Sequence, residues 1–288
     1  MSTNKKGILL AVLAATLYAI STPVSKLLLA KIPSTLLAGL LYLGAGAGMS
    51  VIGLVRKTGG KMNKEERLQK TDFPYVLAMI ILDIAAPILL LLGLSAATPE
   101  NVSLLNNFEI VATALIALLF FGEKISKRLW VSIGFITLAS LILSFESIEA
   151  MEFSLGSLLV IAAACCWGLE NNCTRKLSSK DPLQIVIVKG LCSGAGSLII
   201  GLAIGEKIEN NWYIIAAIVL GFVAYGLSIF TYIYAQRMIG AARTSAYYAI
   251  APFIGSIISL LLFPKLPRVT FFVAVLVMGV GSYLASKE

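Results

Sequence analysis

The sequence predicts an all-helical (all-α) integral membrane protein with ten transmembrane helices, arranged as two inverted repeats of five helices. Three observations predict this fold: ten apolar segments of spanning length, an uneven distribution of Lys and Arg, and an internal repeat. The composition also favours a membrane setting, because 58% of the 288 residues are hydrophobic and only 13% are charged. A soluble domain carries roughly a quarter charged residues. A chain this apolar is better accommodated where lipid surrounds its outer face.

The spans follow from segment length, because a transmembrane helix needs about 20 mostly apolar residues. Most connections between the apolar segments are short, so consecutive helices are expected to be antiparallel neighbours. Reading from one polar, Pro or Gly interruption to the next, the sequence predicts helices at 7–29, 33–55, 73–94, 100–121, 127–145, 154–176, 183–204, 212–236, 242–263 and 267–285.

The positions of Lys and Arg predict the orientation. With the N-terminus inside, 17 of the 23 basic residues lie on the inner side and five on the outer side, while Lys189 falls inside a predicted helix. Short cytoplasmic loops carry such an excess of Lys and Arg. We therefore expect a multi-pass protein of the cell (inner) membrane with both termini cytoplasmic. The net charge of +8 is then a topology signal, and nucleic acid is not an expected partner.

An internal repeat divides the chain. A shift of 149 residues aligns 7–28 with 156–177, and Pro33 matches Pro182 at the same offset. This predicts two five-helix units, 1–149 and 150–288, and an odd helix count makes the second copy inverted. Inverted repeats are typical of secondary transporters, whose substrate site lies near the midplane. Chance similarity between Ala- and Leu-rich helices is the alternative explanation.

Missing residue types narrow the function. The chain contains no histidine, which excludes His-dependent catalysis, including the H-E-x-x-H metalloprotease arrangement. The sequence G-x-x-x-x-G-K-[ST] is also absent, so ATP hydrolysis is not expected. We expect no enzyme activity, no cofactor and no metal, although the four cysteines leave a soft-metal site as an alternative. Those cysteines are Cys165, Cys166, Cys173 and Cys192.

Three short motifs carry a family resemblance. The segment Phe121-Gly122-Glu123-Lys124-Ile125-Ser126, the segment Ala251-Pro252-Phe253 and the pair Trp167-Gly168 resemble the drug/metabolite transporter superfamily, in its ten-helix EamA family. The resemblance spans essentially the whole chain and implies a membrane transporter. The first half departs from the family pattern at Glu109, where proline is expected and where Pro252 stands in the second half.

Four ionisable residues fall inside predicted spans: Asp83, Glu109, Glu170 and Lys189. Such residues are costly in a membrane and are functional candidates by default. From the nearest turns, Asp83 and Glu109 are expected at one depth near the midplane, and Glu170 and Lys189 at another depth nearer the cytoplasm. A purely structural Glu170–Lys189 ion pair, and a structural role for Asp83, are the alternatives.

Polar and aromatic residues accompany these charges. Ser103, Asn106, Glu109 and Thr113 recur every three or four residues and form one stripe, which in a membrane faces protein or water. Aromatic faces near carboxylates suit an organic cation, while Lys189 would suit the carboxylate of an amino acid. Packing roles for the aromatic residues and helix–helix bonding by the Asn residues remain open. The predicted substrate-binding residues are Tyr18, Asp83, Asn106, Asn107, Glu109, Trp167, Glu170, Asn171 and Lys189.

These features predict a secondary transporter that moves a small polar metabolite, amino acid or organic cation by alternating access, with the lipid bilayer and protons as its other partners. Glu109 and Glu170 are the predicted proton-coupling residues, since burial disfavours the charged form of a carboxylic acid. A passive channel or facilitative pore is the alternative function.

Overall fold

The computed structural model describes residues 3–58, 66–122, 125–147, 152–177, 180–208, 211–239 and 247–285. Three predicted features lie outside these ranges: Glu123 and Lys124 of the family motif, the start of the ninth predicted helix at 242–246, and the boundary between the two predicted halves at 149–150. The described part is almost entirely helical. Its helices are α1 (Thr3–Ala19), α2 (Ser21–Leu28), α3 (Ser34–Thr58), α4 (Phe73–Ala96), α5 (Pro99–Leu105), α6 (Phe108–Phe121), α7 (Lys127–Ser144), α8 (Leu155–Lys176), α9 (Pro182–Ala203), α10 (Asn211–Gly221), α11 (Ser228–Ile239), α12 (Ala251–Leu262) and α13 (Val269–Ala285).

Three smaller elements complete the fold. A 3-10 turn at Lys70–Asp72 precedes α4, and a π-helical segment at Phe222–Leu227 joins α10 to α11. Two short antiparallel strands, β1 (Phe145–Ser147) and β2 (Glu152–Phe153), connect α7 to α8. The strands were not expected, but they lie within the link between the two predicted repeats.

Length and composition make this a multi-pass membrane protein. Within the described residues, seven helices or joined helix pairs are long and apolar enough to span a bilayer: 5–28, 34–57, 70–96, 99–120, 127–144, 182–203 and 212–235. Helices α12 and α13 are apolar but shorter. Helix α8 is 22 residues long, yet it is not among the seven and carries the polar run Glu170-Asn171-Asn172.

Three helix breaks interrupt the predicted spans. The break between α1 and α2 falls at Ile20, because Pro23 has no N–H to bond the carbonyl of Ala19 and its ring crowds that carbonyl. Pro252 has the same relation to Tyr248, and residues 249–250 form a turn just before α12. The third break, at residues 106–107, consists of two Asn, a residue type of low helix propensity.

Glycines let the central helices approach one another closely. Helix α3 packs along α9, and α4 packs along α8. A Cβ atom on Gly46 would lie 2.5 Å from the backbone nitrogen of Leu191, and one on Gly190 would lie 2.4 Å from the backbone nitrogen of Gly46. These two glycines therefore set the separation of α3 and α9, as small residues do at membrane helix interfaces.

Basic side chains tie the helix ends together. Lys26 donates hydrogen bonds from Nζ to the carbonyls of Leu94 and Ala97 at the C-terminal end of α4, where the helix dipole favours a cation. At the other end of the bundle, Lys180 bonds Glu66 and lies 3.6 Å from Asp72. The hydrogen bond from Lys180 to Glu66 raises the pKa of this lysine.

The glycine contact gives the first prediction. Gly46→Ala should lower the free energy of unfolding by about 1–3 kcal/mol, because its new methyl group meets backbone that cannot swing aside. Gly134→Ala in α7 is the matched control, since a Cβ there has no neighbour within 4 Å among the described residues. The control should be neutral or stabilising by up to about 1 kcal/mol. Denaturant unfolding in detergent micelles measures both, and equal effects would contradict close backbone contact at Gly46.

Candidate functional site

The buried charges of α4, α8 and α9 meet in one cluster. Lys189 Nζ lies 3.0 Å from Asp83 Oδ2 and 3.2 Å from Glu170 Oε1. Asp83 is fully buried and Glu170 is 2% exposed. Glu170 and Lys189, which were expected at the same depth, are therefore in contact, and Asp83 joins them as a second carboxylate. We call Asp83, Glu170 and Lys189 the ion triad.

Neutral polar groups complete the surroundings of the ion triad. Tyr42 donates a hydrogen bond from its hydroxyl to Asp83 Oδ1 at 3.0 Å, and Trp167 donates from Nε1 to the Tyr42 hydroxyl at 3.4 Å. Thr174, one turn after Glu170, donates to Glu170 Oε1. Pro87 lies four residues after Asp83 inside α4 and so removes the helical donor to the Asp83 carbonyl. The carboxylates thus have polar partners in addition to Lys189.

Glu109 forms a separate polar group with α8. Asn171 donates from Nδ2 to Glu109 Oε1 at 2.6 Å and lies 3.4 Å from the Thr113 hydroxyl. The next residue, Asn172, donates to the carbonyls of Thr113 and Gly168. The depth match between Asp83 and Glu109 therefore does not correspond to a pairing: Asp83 joins the ion triad, and Glu109 joins Asn171.

A chain of aromatic rings runs through the core between helices of both halves. The rings of Tyr42 and Tyr225 have centroids 5.3 Å apart, and those of Tyr18 and Tyr225 are 5.9 Å apart. Tyr18 also lies 5.9 Å from Tyr248, which lies 4.9 Å from Tyr232. Because Tyr42 bonds Asp83, this chain starts at the ion triad. Tyr225 belongs to the π-helical segment, a type of irregularity that is frequent at functional sites.

The remaining predicted residues lie at the helix breaks. Asn106 and Tyr18 line a small cavity, together with Ser103 and Pro252. Asn107 is 3% exposed, and its Nδ2 has no hydrogen-bond partner among the described residues. The structure therefore separates Asn106 from the ion triad and assigns it to this cavity.

The sequence-based reading missed several residues of the site, above all Tyr42 and Tyr225. A tyrosine inside an apolar helix gives no distinctive sequence signal, since its ring packs as readily as it bonds. One sequence feature could have pointed to Tyr42: it lies in the Gly-rich helix α3, where a neighbouring helix can pack closely enough to reach its hydroxyl group. Among the described residues, no three Cys, Asp or Glu side chains form a group suited to holding a metal ion.

The comparisons with known proteins agree with this architecture. The model of the EamA-like transporter family matches residues 5–145 and again residues 154–287. The chain belongs to the EamA-like transporter family. An uncharacterized transporter of Methanothermobacter thermautotrophicus is 26% identical over 272 residues, covering 89% of this chain and 79% of that protein. The uncharacterized transporter YyaM of Bacillus subtilis is 23% identical over 205 residues, covering 68% of this chain and 67% of that protein.

A solved crystal structure supports the fold of this EamA-like transporter. It covers 99% of this chain and 96% of its own chain with a TM-score of 0.67, at 16% sequence identity. At that identity the likeness concerns the fold alone. The family and the names of both relatives point to a membrane transporter of a small molecule rather than an enzyme.

Among the described residues of the site in this EamA-like transporter, acidic side chains outnumber basic ones. The ion triad and Glu109 together supply three carboxylates and one ammonium group. When all four groups are ionised, two negative charges lack a countercharge within the set. Unpaired charge is costly where water is excluded.

The ion triad gives the second prediction. Lys189→Met should destabilise the protein by about 3–5 kcal/mol, because removing one partner leaves uncompensated buried charge. The triple variant Lys189→Met, Asp83→Asn, Glu170→Gln should recover most of that loss, since it removes the carboxylates as well. Denaturant unfolding in detergent measures both proteins. A triple variant no more stable than Lys189→Met would contradict the electrostatic explanation.

Proposed function

We propose that this EamA-like transporter is a secondary transporter that exchanges protons for a small solute carrying a positively charged group, such as an amino acid or an organic cation. The observation that carries the proposal is the excess of buried carboxylates over buried ammonium groups at the ion triad and Glu109. The aromatic chain from Tyr42 to Tyr248 supplies faces that attract such cations.

Glu109 is the proposed position at which proton and solute compete. Its hydrogen-bond partner Asn171 is neutral, and among the described residues no basic side chain forms an ion pair with Glu109, as Lys189 does with the acids of the ion triad. Either a proton or the cationic group of the solute would supply the missing positive charge. Because one carboxylate can be neutralised by only one of them at a time, binding of one favours release of the other. Glu170 forms an ion pair with Lys189, so it is less suited to proton exchange than Glu109.

The pairing of helices supports the proposed inverted repeat of ten helices. In the proposed repeat, α4 of the first half corresponds to α11 of the second, and α1 corresponds to α8. The contact of α4 with α8 should therefore have a counterpart between α11 and α1, and both contacts are present. The pairs α3–α9 and α7–α13 each map onto themselves and are also present. Ser132 donates a hydrogen bond to the carbonyl of Gly281, 149 residues away, which is the repeat offset. The separate family matches support the proposed units at 1–149 and 150–288.

Location and direction complete the proposal. The basic residues favour a cell (inner) membrane location with cytoplasmic termini, because 17 of them lie on the side assigned to the cytoplasm. Alternating access would follow from rocking of one half against the other around the midplane site. The ion triad joins Asp83 of the first half to Glu170 and Lys189 of the second, so it would move in that step.

The third prediction tests the role of Glu109. In proteoliposomes, Glu109→Gln should reduce solute-driven proton flux at least tenfold, because a neutral amide cannot exchange a proton. Glu109→Asp, which keeps the carboxylate, should retain measurable flux. A pH-sensitive dye inside the vesicles reports the flux, with candidate amino acids and organic amines added outside. Wild-type flux in Glu109→Gln would remove this residue from the coupling mechanism.

A counterflow experiment separates a carrier from the passive channel. Vesicles loaded with unlabelled solute should accumulate labelled solute transiently if the protein is an alternating-access carrier. A channel would equilibrate the label without overshoot, and that outcome would overturn the proposed mechanism. Glu109→Asp serves again as the folded control with its charge retained.

A further inference from the structure

A small cavity lies where the three helix breaks converge. It is lined by residues from each break: Tyr18, Ala19 and Thr22 from the first, Ser103 and Asn106 from the second, and Ala251, Pro252 and Gly255 from the third. Its volume is about 10 Å³, which corresponds to one water-sized particle. The cavity is therefore far too small for the transported solute.

Oxygen atoms that lack a hydrogen-bond partner or a helical donor border this cavity. Ser103 Oγ and Asn106 Oδ1 have no hydrogen-bond partner among the described residues, although Ser103 is 1% exposed and Asn106 is 8% exposed. The carbonyl of Ala19 has no helical donor, because Pro23 stands four residues later. Three oxygens from two different helix breaks thus border one small volume. Buried polar atoms are normally satisfied, and a bound species in this cavity would supply the partner that Ser103 Oγ and Asn106 Oδ1 lack.

Gly255 keeps these oxygens accessible. A Cβ atom at this position would lie 3.1 Å from the Ala19 carbonyl oxygen and 3.1 Å from Ser103 Oγ. Both oxygens therefore point toward the space that glycine leaves free on α12. The glycine on α12 thus leaves the space in which one ligand can contact oxygens from both of the other breaks.

We infer that this cavity binds one sodium ion. The lining residues offer carbonyl, hydroxyl and amide oxygens, the groups with which broken membrane helices coordinate monovalent cations. Divalent Ca²⁺ and Mg²⁺ prefer carboxylate ligands, and the described lining of the cavity contains none. Glu109 lies one helical turn after Asn106, so its charge favours a cation nearby without occupying the cavity.

The sodium site shares Tyr18 with the aromatic chain but contains none of the carboxylates of the proposed solute site. The bond of Glu109 to Asn171 and the ion triad both lie outside the cavity lining. Sodium binding can therefore be measured without any transported solute, and the result stands whether or not the solute carries positive charge. The ion joins the break between α1 and α2 to the break between α5 and α6, and Gly255 on α12 leaves room for it.

The fourth prediction concerns thermal stability in sodium. The full chain in detergent is heated in increasing NaCl, with choline chloride keeping the ionic strength constant. Tm should rise and then saturate with NaCl, as expected for a ligand that binds only the folded state, while KCl should give a much smaller rise. Equal rises in NaCl, KCl and choline chloride would overturn the sodium site.

Matched variants locate the site. Ser103→Ala removes one proposed ligand and should raise the half-saturating Na⁺ concentration at least tenfold. Ser259→Ala is the control, because Ser259 is equally buried but bonds the Gly255 carbonyl within its own helix, and it should leave the Na⁺ response unchanged. Gly255→Ala should block the response by filling the cavity while retaining every oxygen. Wild-type responses in both Ser103→Ala and Gly255→Ala would refute this location.

Direct binding of ²²Na⁺ to the wild-type protein keeps the test independent of variant folding. About one sodium ion per chain, displaced by unlabelled Na⁺ but not by choline, supports the inference. An absence of binding at high Na⁺ concentration would mean that a water molecule alone fills the cavity, and the inference would then be wrong. The ²²Na⁺ measurement does not depend on the flux measured for Glu109→Gln, so the sodium site and the proposed proton coupling can fail separately.

Discussion

The buried ammonium group of Lys189 constrains the centre of the molecule. A lone charge is costly in a region without water, so α9 must bring Lys189 against acidic side chains on its neighbours. Asp83 on α4 and Glu170 on α8 supply them at 3.0 and 3.2 Å. Gly190, the next residue, lets the backbone of α3 approach α9. That approach allows Tyr42 on α3 to reach Asp83, so packing and charge compensation depend on the same few residues.

The ion triad also joins the two proposed halves, since Asp83 belongs to the first and the other two members belong to the second. A rocking motion would have to rotate these groups about one another or separate them. Separation would expose uncompensated charge to a low-dielectric region, which makes it unfavourable unless another ion takes the vacant place. A cationic solute or a proton can take that place. In the proposed mechanism, this electrostatic cost provides a physical reason for coupling conformational change to binding.

The sequence alone predicted much of this arrangement, and its failures have a common cause. Helix positions and the proximity of Glu170 to Lys189 follow from apolar length and from depth below the shared turn. Depth does not fix rotation about the helix axis, so the equal depth expected for Asp83 and Glu109 did not reveal that Asp83 faces Lys189 and Glu109 faces Asn171. Tyr42 was missed because the sequence does not distinguish a tyrosine that only packs from one that also donates a hydrogen bond. The breaks at Ile20 and residues 249–250 follow from proline chemistry, but their convergence requires tertiary structure.

The asymmetry at Glu109 follows from the break that precedes it. Counted from the turn at residues 106–107, Glu109 occupies the second position of α6, as Pro252 does in α12. Proline suits the first turn of a helix because it donates no hydrogen bond there. A carboxylate suits the same turn because the helix dipole places partial positive charge at the N-terminus. In the first proposed half, the Asn pair forms the break without a proline. The second position of α6 is therefore available for Glu109, whereas Pro252 occupies the same position of α12. The helix break thus provides both the electrostatic support for Glu109 and the oxygen-lined cavity beside it.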